Sequence, residues 1–167
     1  MKMTINTLLL SIILMACSTK QNEQSADTQA TIEAVATPIS KSVLANYITL
    51  KDAFVKSDVT VAQKASLTLF ESLKSSQLDA SMIEAATLIS TSDDLAVQRT
   101  AFKTITDGLV AALQSEGTEQ TVFVQHCPMA FDNTGADWLS LSDEVLNPYF
   151  GDMMLRCGKV VQQISLK

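Results

Sequence analysis

The strongest constraint in this sequence is a helical period that starts, stops and restarts. Val43, Tyr47, Leu50 and Phe54 recur at spacings of four, three and four, which is one face of an α-helix, and Leu44, Ile48 and Val55 widen the stripe. Thr37-Pro38 offers an N-cap with Pro at the first helical position. Ser57-Asp58 ends this run and Asp58 is placed to cap a second, with Ala62, Ala65, Leu69 and Leu73 inward and Phe70 at its edge. Asp79 is expected to cap a third, carrying Met82, Ile83, Ala86, Leu88 and Ile89. Ser92-Asp93 is expected to open a fourth, along which Leu95, Phe102, Ile105, Leu109 and Leu113 align before Gly117. Connections of a few residues between amphipathic helices imply antiparallel neighbours. The expected fold is mainly α: an antiparallel bundle of about four helices over 37–116, followed by a small C-terminal α+β lobe over 117–167. At 167 residues the chain has room for one domain, placed at 37–167.

After Gly117 the sequence changes character. Thr121–Gln125 is β-branched and aromatic, as strands are, and Val160, Val161 and Ile164 suggest a terminal strand. Between them, Ser142–Leu146 reads as a capped helical turn, and Trp138, Tyr149 and Phe150 as core anchors. The sulfur distribution is uneven. Of seven Met, Met1, Met3 and Met15 lie at the N-terminus and Met82 on a helix face, whereas Met129, Met153 and Met154 lie between Cys127 and Cys157. The only His, His126, adjoins the first of these Cys. Thiolates and thioethers are soft ligands that select Cu(I) and similar ions. If 125–129 is extended, Cys127 and Met129 share a side and His126 faces the other. If 153–157 is helical, Met153 and Met154 each share a face with Cys157. A set of Cys127, Met129, Met153 and Cys157 follows, with Met154 or His126 as alternates and Arg156 expected to favour the thiolate. The alternative is a Cys127–Cys157 disulfide, with the Met residues as ordinary packing; unrelated free thiols are the third reading. Asp132, Asp137 and Asp152 lack the regular alternation of a calcium loop.

The N-terminus is an address rather than part of the fold. Lys2 precedes an apolar run from Leu8 to Met15 that is far short of the roughly 20 residues needed to span a bilayer. Leu14-Met15-Ala16-Cys17 resembles the lipobox of bacterial lipoproteins. The resemblance implies a signal peptide at 1–16, removal at the amino side of Cys17 and acylation of Cys17. The acyl chains would hold the protein at a membrane at about 0.8 kcal/mol per buried CH₂. Ser18, where Asp would signal retention, points to the outer membrane, facing the periplasm. Residues 17–36 are polar, lack aromatics and read as a lipid-anchored flexible tether.

Charge and composition narrow the function. A formal net charge of −6 argues against binding nucleic acid, which needs a basic patch. There is no C-x-x-C for dithiol exchange, and the sole His has no orienting acid nearby in sequence. A non-enzymatic protein is expected. Arg99, near the edge of the fourth helical stripe, is expected to pair with an acidic neighbour or to be a solvated or structurally paired residue.

Several blocks carry a family resemblance: Tyr47-x-x-Leu50-Lys51-Asp52-Ala53, Gln98-Arg99-x-x-Phe102, Cys127-Pro128-Met129-Ala130, Trp138-Leu139-Ser140, and Asn147-Pro148-Tyr149-Phe150-Gly151-x-x-Met154-x-x-Cys157-Gly158. Over about 40–165 the chain resembles a family of bacterial domains of unknown function. These domains occur as small lipoproteins and as extensions of the periplasmic adaptor (membrane-fusion) subunits of copper/silver-type efflux systems. The resemblance implies a heavy-metal role on Cys127, Met129, Met154 and Cys157, with an efflux adaptor or another envelope protein as partner. Cys-Pro-Met is also similar to the Cys-Pro-Met-His of short heavy-metal modules on such adaptors; here Ala130 stands in place of their His, and His126 precedes the Cys. The expectation is a membrane-anchored periplasmic lipoprotein that binds a soft heavy-metal ion, Cu(I) first, for handling or transfer to an efflux system. The alternative is an envelope interaction or structural module stapled by Cys127–Cys157.

Overall fold

The computed structural model describes residues 39–165. The signal segment 1–16, Cys17, the tether 17–36 and the Thr37-Pro38 cap lie outside the described residues. Four helices come first: α1 (Lys41–Val55), α2 (Val59–Ser75), α3 (Ala80–Thr91) and α4 (Leu95–Glu116). Each begins where a side-chain oxygen takes up an orphan N–H of the first turn. Ser40 Oγ accepts from Val43 at 3.4 Å, Asp58 from Val61 at 2.9 Å, and Asp79 from Ser81 at 2.8 Å. The fourth cap is Asp94, which accepts from Ala96 at 2.7 Å and Val97 at 3.2 Å, one residue beyond the expected Ser92-Asp93. Those two residues are engaged elsewhere. The Ser92 carbonyl takes the Gln98 and Gln63 side-chain amides at 2.7 and 3.0 Å, and Asp93 takes Gln63 at 2.8 Å, tying the α3–α4 corner to α2. Gly117, at φ +86°, closes α4 through its N–H to the Leu113 carbonyl at 3.0 Å.

The expected stripes are the core. Val43, Leu44, Tyr47, Leu50, Phe54, Ala62, Leu69, Leu73, Ile89, Phe102, Ile105, Leu109 and Leu113 are fully buried, each large apolar one contributing about 1.5–3 kcal/mol. Leu88 departs from expectation at 47% exposed. The buried positions of α3 are Met82, Ala85, Ala86 and Ile89, a strict three–four spacing that turns Leu88 outward. Each helix packs against the next in sequence. Helices α1 and α4 meet through rings, with Tyr47 and Phe54 at 5.1 and 5.0 Å from Phe102.

The lobe is a three-stranded antiparallel sheet in the order β2-β1-β3, made of β1 (Val122–Cys127), β2 (Ala136–Ser140) and β3 (Lys159–Ile164). Strand β2 was not expected. It packs on α4 and buries Ala136, Trp138, Leu139 and Ser140, whereas β3 keeps only Ile164 in the core. Between β1 and β2 lies α5 (Ala130–Asn133), left-handed at Phe131 and Asp132. The fold is therefore mostly helical with a small C-terminal sheet, as expected. Two expected helical turns in the lobe are absent, and in both, backbone carbonyls bond to distant residues instead. Ser142–Leu146 is irregular because Gln125 Nε2 donates to the carbonyls of Ser142 and Glu144, both at 3.0 Å. Residues 153–157 are not helical; only a single 3-10 turn, Gly151–Met153, forms before Asn147 captures the chain. The Asn147 N–H donates to the Leu155 carbonyl at 2.8 Å, and its Nδ2 to the Cys157 carbonyl at 2.8 Å.

No helix among the described residues is long and apolar enough to cross a membrane.

Candidate functional site around Cys127 and Cys157

Cys127 ends the central strand, and Cys157 follows the Gly151–Met153 turn. Two devices bring them together across 30 residues of chain. Asn147 is fully buried: its Oδ1 accepts from Tyr149 at 2.8 Å and Phe150 at 3.2 Å while its Nδ2 holds the Cys157 carbonyl. One side chain thus shapes the Asn-Pro-Tyr-Phe-Gly turn and returns the chain to the sheet. The second device is Gly158, at φ +142°. A Cβ there would lie 2.7 Å from the Trp138 ring and 2.8 Å from the His126 carbonyl, so only glycine lets the backbone approach β1 this closely. The result is a thiol pair with sulfurs 3.1 Å apart, Cys127 buried and Cys157 half-buried. Hydrogen bonding to Cys127 pushes the Cys157 thiol up, and burial adds to the shift. Arg156, expected to favour the thiolate, is instead held by Glu144 at 2.7 Å.

The remaining predicted ligands are placed differently. Strand β1 stops at Cys127, and Met129 adopts φ −93°, ψ −10° in the following turn, 47% exposed, rather than continuing an extended run. Met153 is 78% exposed on the 3-10 turn. Met154 is half-buried, and its carbonyl accepts from the Cys157 N–H at 3.0 Å. Adjacent residues in a strand face opposite sides, so His126 projects away from the Cys127 thiol. Its Nδ1 lies 2.7 Å from Asp137 Oδ1, its partner across the β1–β2 ladder. This acid was not legible in the sequence, because the pairing depends on the register between two strands. Among the described residues, no group of three or more His, Cys, Asp and Glu side chains converges as a metal site.

Around the pair, the lobe is joined to the bundle by aromatic and polar contacts. Tyr149 meets Phe102, Phe131 and Trp138 at ring distances of 5.8, 5.3 and 6.2 Å, and its hydroxyl donates to the Asp137 carbonyl at 2.6 Å. Trp138 and Tyr149 are core anchors, as expected, and Phe150 is half-buried. A buried relay runs from the Leu139 N–H to the Tyr47 hydroxyl (3.1 Å), on to Thr106 (2.8 Å) and then to the Phe102 carbonyl (3.0 Å). Burial raises both tyrosine hydroxyls far above their ordinary range, so they act as neutral hydrogen-bonding groups. Arg99 has no acidic partner among the described residues. It donates from Nε to the Pro148 carbonyl at 2.8 Å and from Nη2 to the Phe54 carbonyl at 3.2 Å and Ser57 Oγ at 3.0 Å, bridging α1, α4 and the Asn147–Gly151 turn.

Residues 43–121 match a protein family of unknown function (DUF3347), so a domain of that family occupies just under half of the chain. The match spans the four helices and stops one residue before β1, short of both cysteines of the lobe. No curated protein and no solved structure matches the chain.

Proposed function

We propose that the protein is a non-enzymatic, lipid-anchored module of the bacterial envelope whose Cys127–Cys157 pair captures a soft ion, foremost Cu(I), for handling or transfer to an efflux system. The supporting observation is that two thiols, 30 residues apart in sequence, meet at 3.1 Å at the edge of the lobe. Met129 lies two residues after one and Met154 three before the other. Thiolates with nearby thioethers suit Cu(I) more than harder ions. The membrane anchor at Cys17, the outer-membrane location and the efflux partner rest on the sequence resemblances alone. The test is a Cu(I) titration of the full chain, purified reduced, against a competing chelator. One equivalent is expected to bind, with at least a hundredfold loss in Cys127→Ser or Cys157→Ser. Affinity unchanged by both substitutions overturns this reading.

One observation favours a second reading. Two thiolates sharing an ion at about 2.3 Å each, with a tetrahedral angle between them, stand about 3.8 Å apart. The thiols here are closer than that, which favours direct oxidation to a disulfide in an oxidising compartment. On this reading the chain is an envelope interaction module stapled by Cys127–Cys157. Intact mass with alkylation, with and without reductant, separates the two. Complete oxidation that resists mild reductant supports the staple, and two readily alkylated thiols support ion capture.

A further inference from the structure

Beside the Asn147–Gly151 turn, residues of α4 and of the lobe line a half-open cavity of about 400 Å³. That size falls within the range of clefts that hold small molecules. Leu95, Ala130, Phe131 and Phe150 form its walls, Thr100 lies on its lining, and among the described residues Arg99 supplies its only charged group, with no Asp or Glu on the lining. Three observations separate this cavity from a packing gap.

The first is the state of Arg99. A guanidinium has five N–H donors. The Nε and Nη2 bonds described above account for part of this set, whereas Nη1 donates to none of the described residues. Arg99 forms no salt bridge with any described carboxylate. Burial works against its charge and pulls its pKa down. The three bonds it does make lock the guanidinium in place, so its unused donors are already oriented.

The second is the wall opposite. Phe131 stands at φ +50°, ψ +62°, followed by Asp132 at +55° and Asn133 at +67°: a run of non-glycine residues in left-handed conformation. A bulky residue there is an outlier, and such strain concentrates at ligand-holding positions. The third is the chemistry of the lining, with Phe131 and Phe150 beside aliphatic groups and an aromatic partner for Phe131, Tyr149, behind it at 5.3 Å. Rings in this arrangement accept a further ring edge-on or offset.

We infer that this cavity is a binding site for a small aromatic carboxylate, its ring among Phe131, Phe150 and Leu95 and its carboxylate on the free donors of Arg99. The site is separate from the cysteine pair and does not depend on the reading proposed for it.

The test uses the full chain in detergent, titrated with 3-phenylpropionate and, separately, with the neutral 3-phenylpropanol, followed by amide chemical shifts. The acid is expected to saturate with shifts centred on Leu95–Thr100 and Ala130–Phe131, and the alcohol to bind at least tenfold more weakly. Thr100→Trp, which crowds the cavity and keeps Arg99 in the chain, is expected to abolish binding with the melting curve retained. Arg99→Gln is expected to remove the preference for acid over alcohol. Absence of saturable shifts with the acid, equal affinity for acid and alcohol, or binding retained in Thr100→Trp each overturns the proposal. Should Arg99→Gln not fold, the acid-to-alcohol ratio and Thr100→Trp decide the matter.

Discussion

The bundle and the lobe are held together by different physics. In α1–α4 the buried set is a series of apolar stripes, and the buried polar groups are few, chiefly Lys51, Ser66, Gln98 and Thr106. In the lobe, single polar side chains determine the path of the backbone: Asn147 directs one turn, Gln125 a loop, and Asp137 meets His126 across the ladder. Apolar stripes tolerate exchange as long as volume is kept. Polar keystones do not, because a buried donor without its acceptor loses the full cost of desolvation. The family match follows the same border, covering the helices and ending before β1.

The largest effect expected is in the bundle. Leu109→Ala, at a fully buried site, should cost about 3–5 kcal/mol in chemical denaturation, and Leu109→Met less than about 1.5 kcal/mol. Equal losses from the two would erase the contrast. Next comes Asn147→Ala. It leaves the N–H groups of Tyr149 and Phe150 and the Cys157 carbonyl without a partner, at a cost of about 3 kcal/mol. Asn147→Gln should not restore it, since the longer amide cannot make all three bonds from one position. It should also slow disulfide formation on mild oxidation, read by mass. Rescue by Gln would place the lobe in the tolerant class with the bundle.

Tyr47→Phe tests where the two regimes meet. It keeps the ring stacked on Phe102 and removes only the hydroxyl that takes the Leu139 N–H, with an expected loss of about 2 kcal/mol. A neutral result would mean that the relay contributes nothing beyond the ring. Smaller still is a kinetic effect at Cys157. With its pKa raised, the thiolate fraction at pH 8 lies below that of an unperturbed cysteine, so alkylation in Cys127-retaining protein should be slower than for free cysteine. Faster alkylation would contradict the hydrogen bond that Cys157 donates to Cys127 as the cause.

The smallest effect belongs to the α3 cap. Asp79 is held below its ordinary range by its bonds to Ser81, so the capped carboxylate stabilises the fold above the unfolded pKa. That contribution fades as pH falls through the folded value. Asp79→Asn should therefore flatten the acid limb of the stability curve slightly and leave the neutral region nearly unchanged. An unchanged acid limb would remove Asp79 from the account.

The same contrast explains what was legible in the sequence. A helix writes its period into neighbours three and four apart, so Val43–Phe54 and Phe102–Leu113 could be read directly. The caps Asp58 and Asp79 were legible to the residue, whereas α1 is capped by Ser40, three residues after the expected Thr37, and α4 by Asp94, because Gln63 and Gln98 compete for the groups of Ser92-Asp93. In the lobe, residue type marked the cysteines as a pair, but not their surroundings. Strand β2 and the His126–Asp137 contact depend on register. The helical turn expected to align Met153 with Cys157 is displaced by a hydrogen bond from Asn147, ten residues before that cysteine. Arg99 was expected to be solvated or paired, and its partners, three carbonyl and hydroxyl acceptors from two distant segments, could not be named from the sequence.

The placement of β3 has a further consequence in terms of local opening. It is an edge strand with Ile164 alone in the core, so its amide protons can exchange by peeling from β1 while the helices stay folded. Lys159 pairs with His126 at one end of that ladder and Ile164 with Val122 at the other. Cys127 and Cys157 adjoin the Lys159 end. Once the two sulfurs are joined, directly or through an ion, that end is riveted, and the strand can unzip only from Ile164 inward. Hydrogen exchange along six residues then reports the state of two sulfurs: a frayed ladder at both ends when they are free, and a graded one, slowest near Lys159, when they are linked.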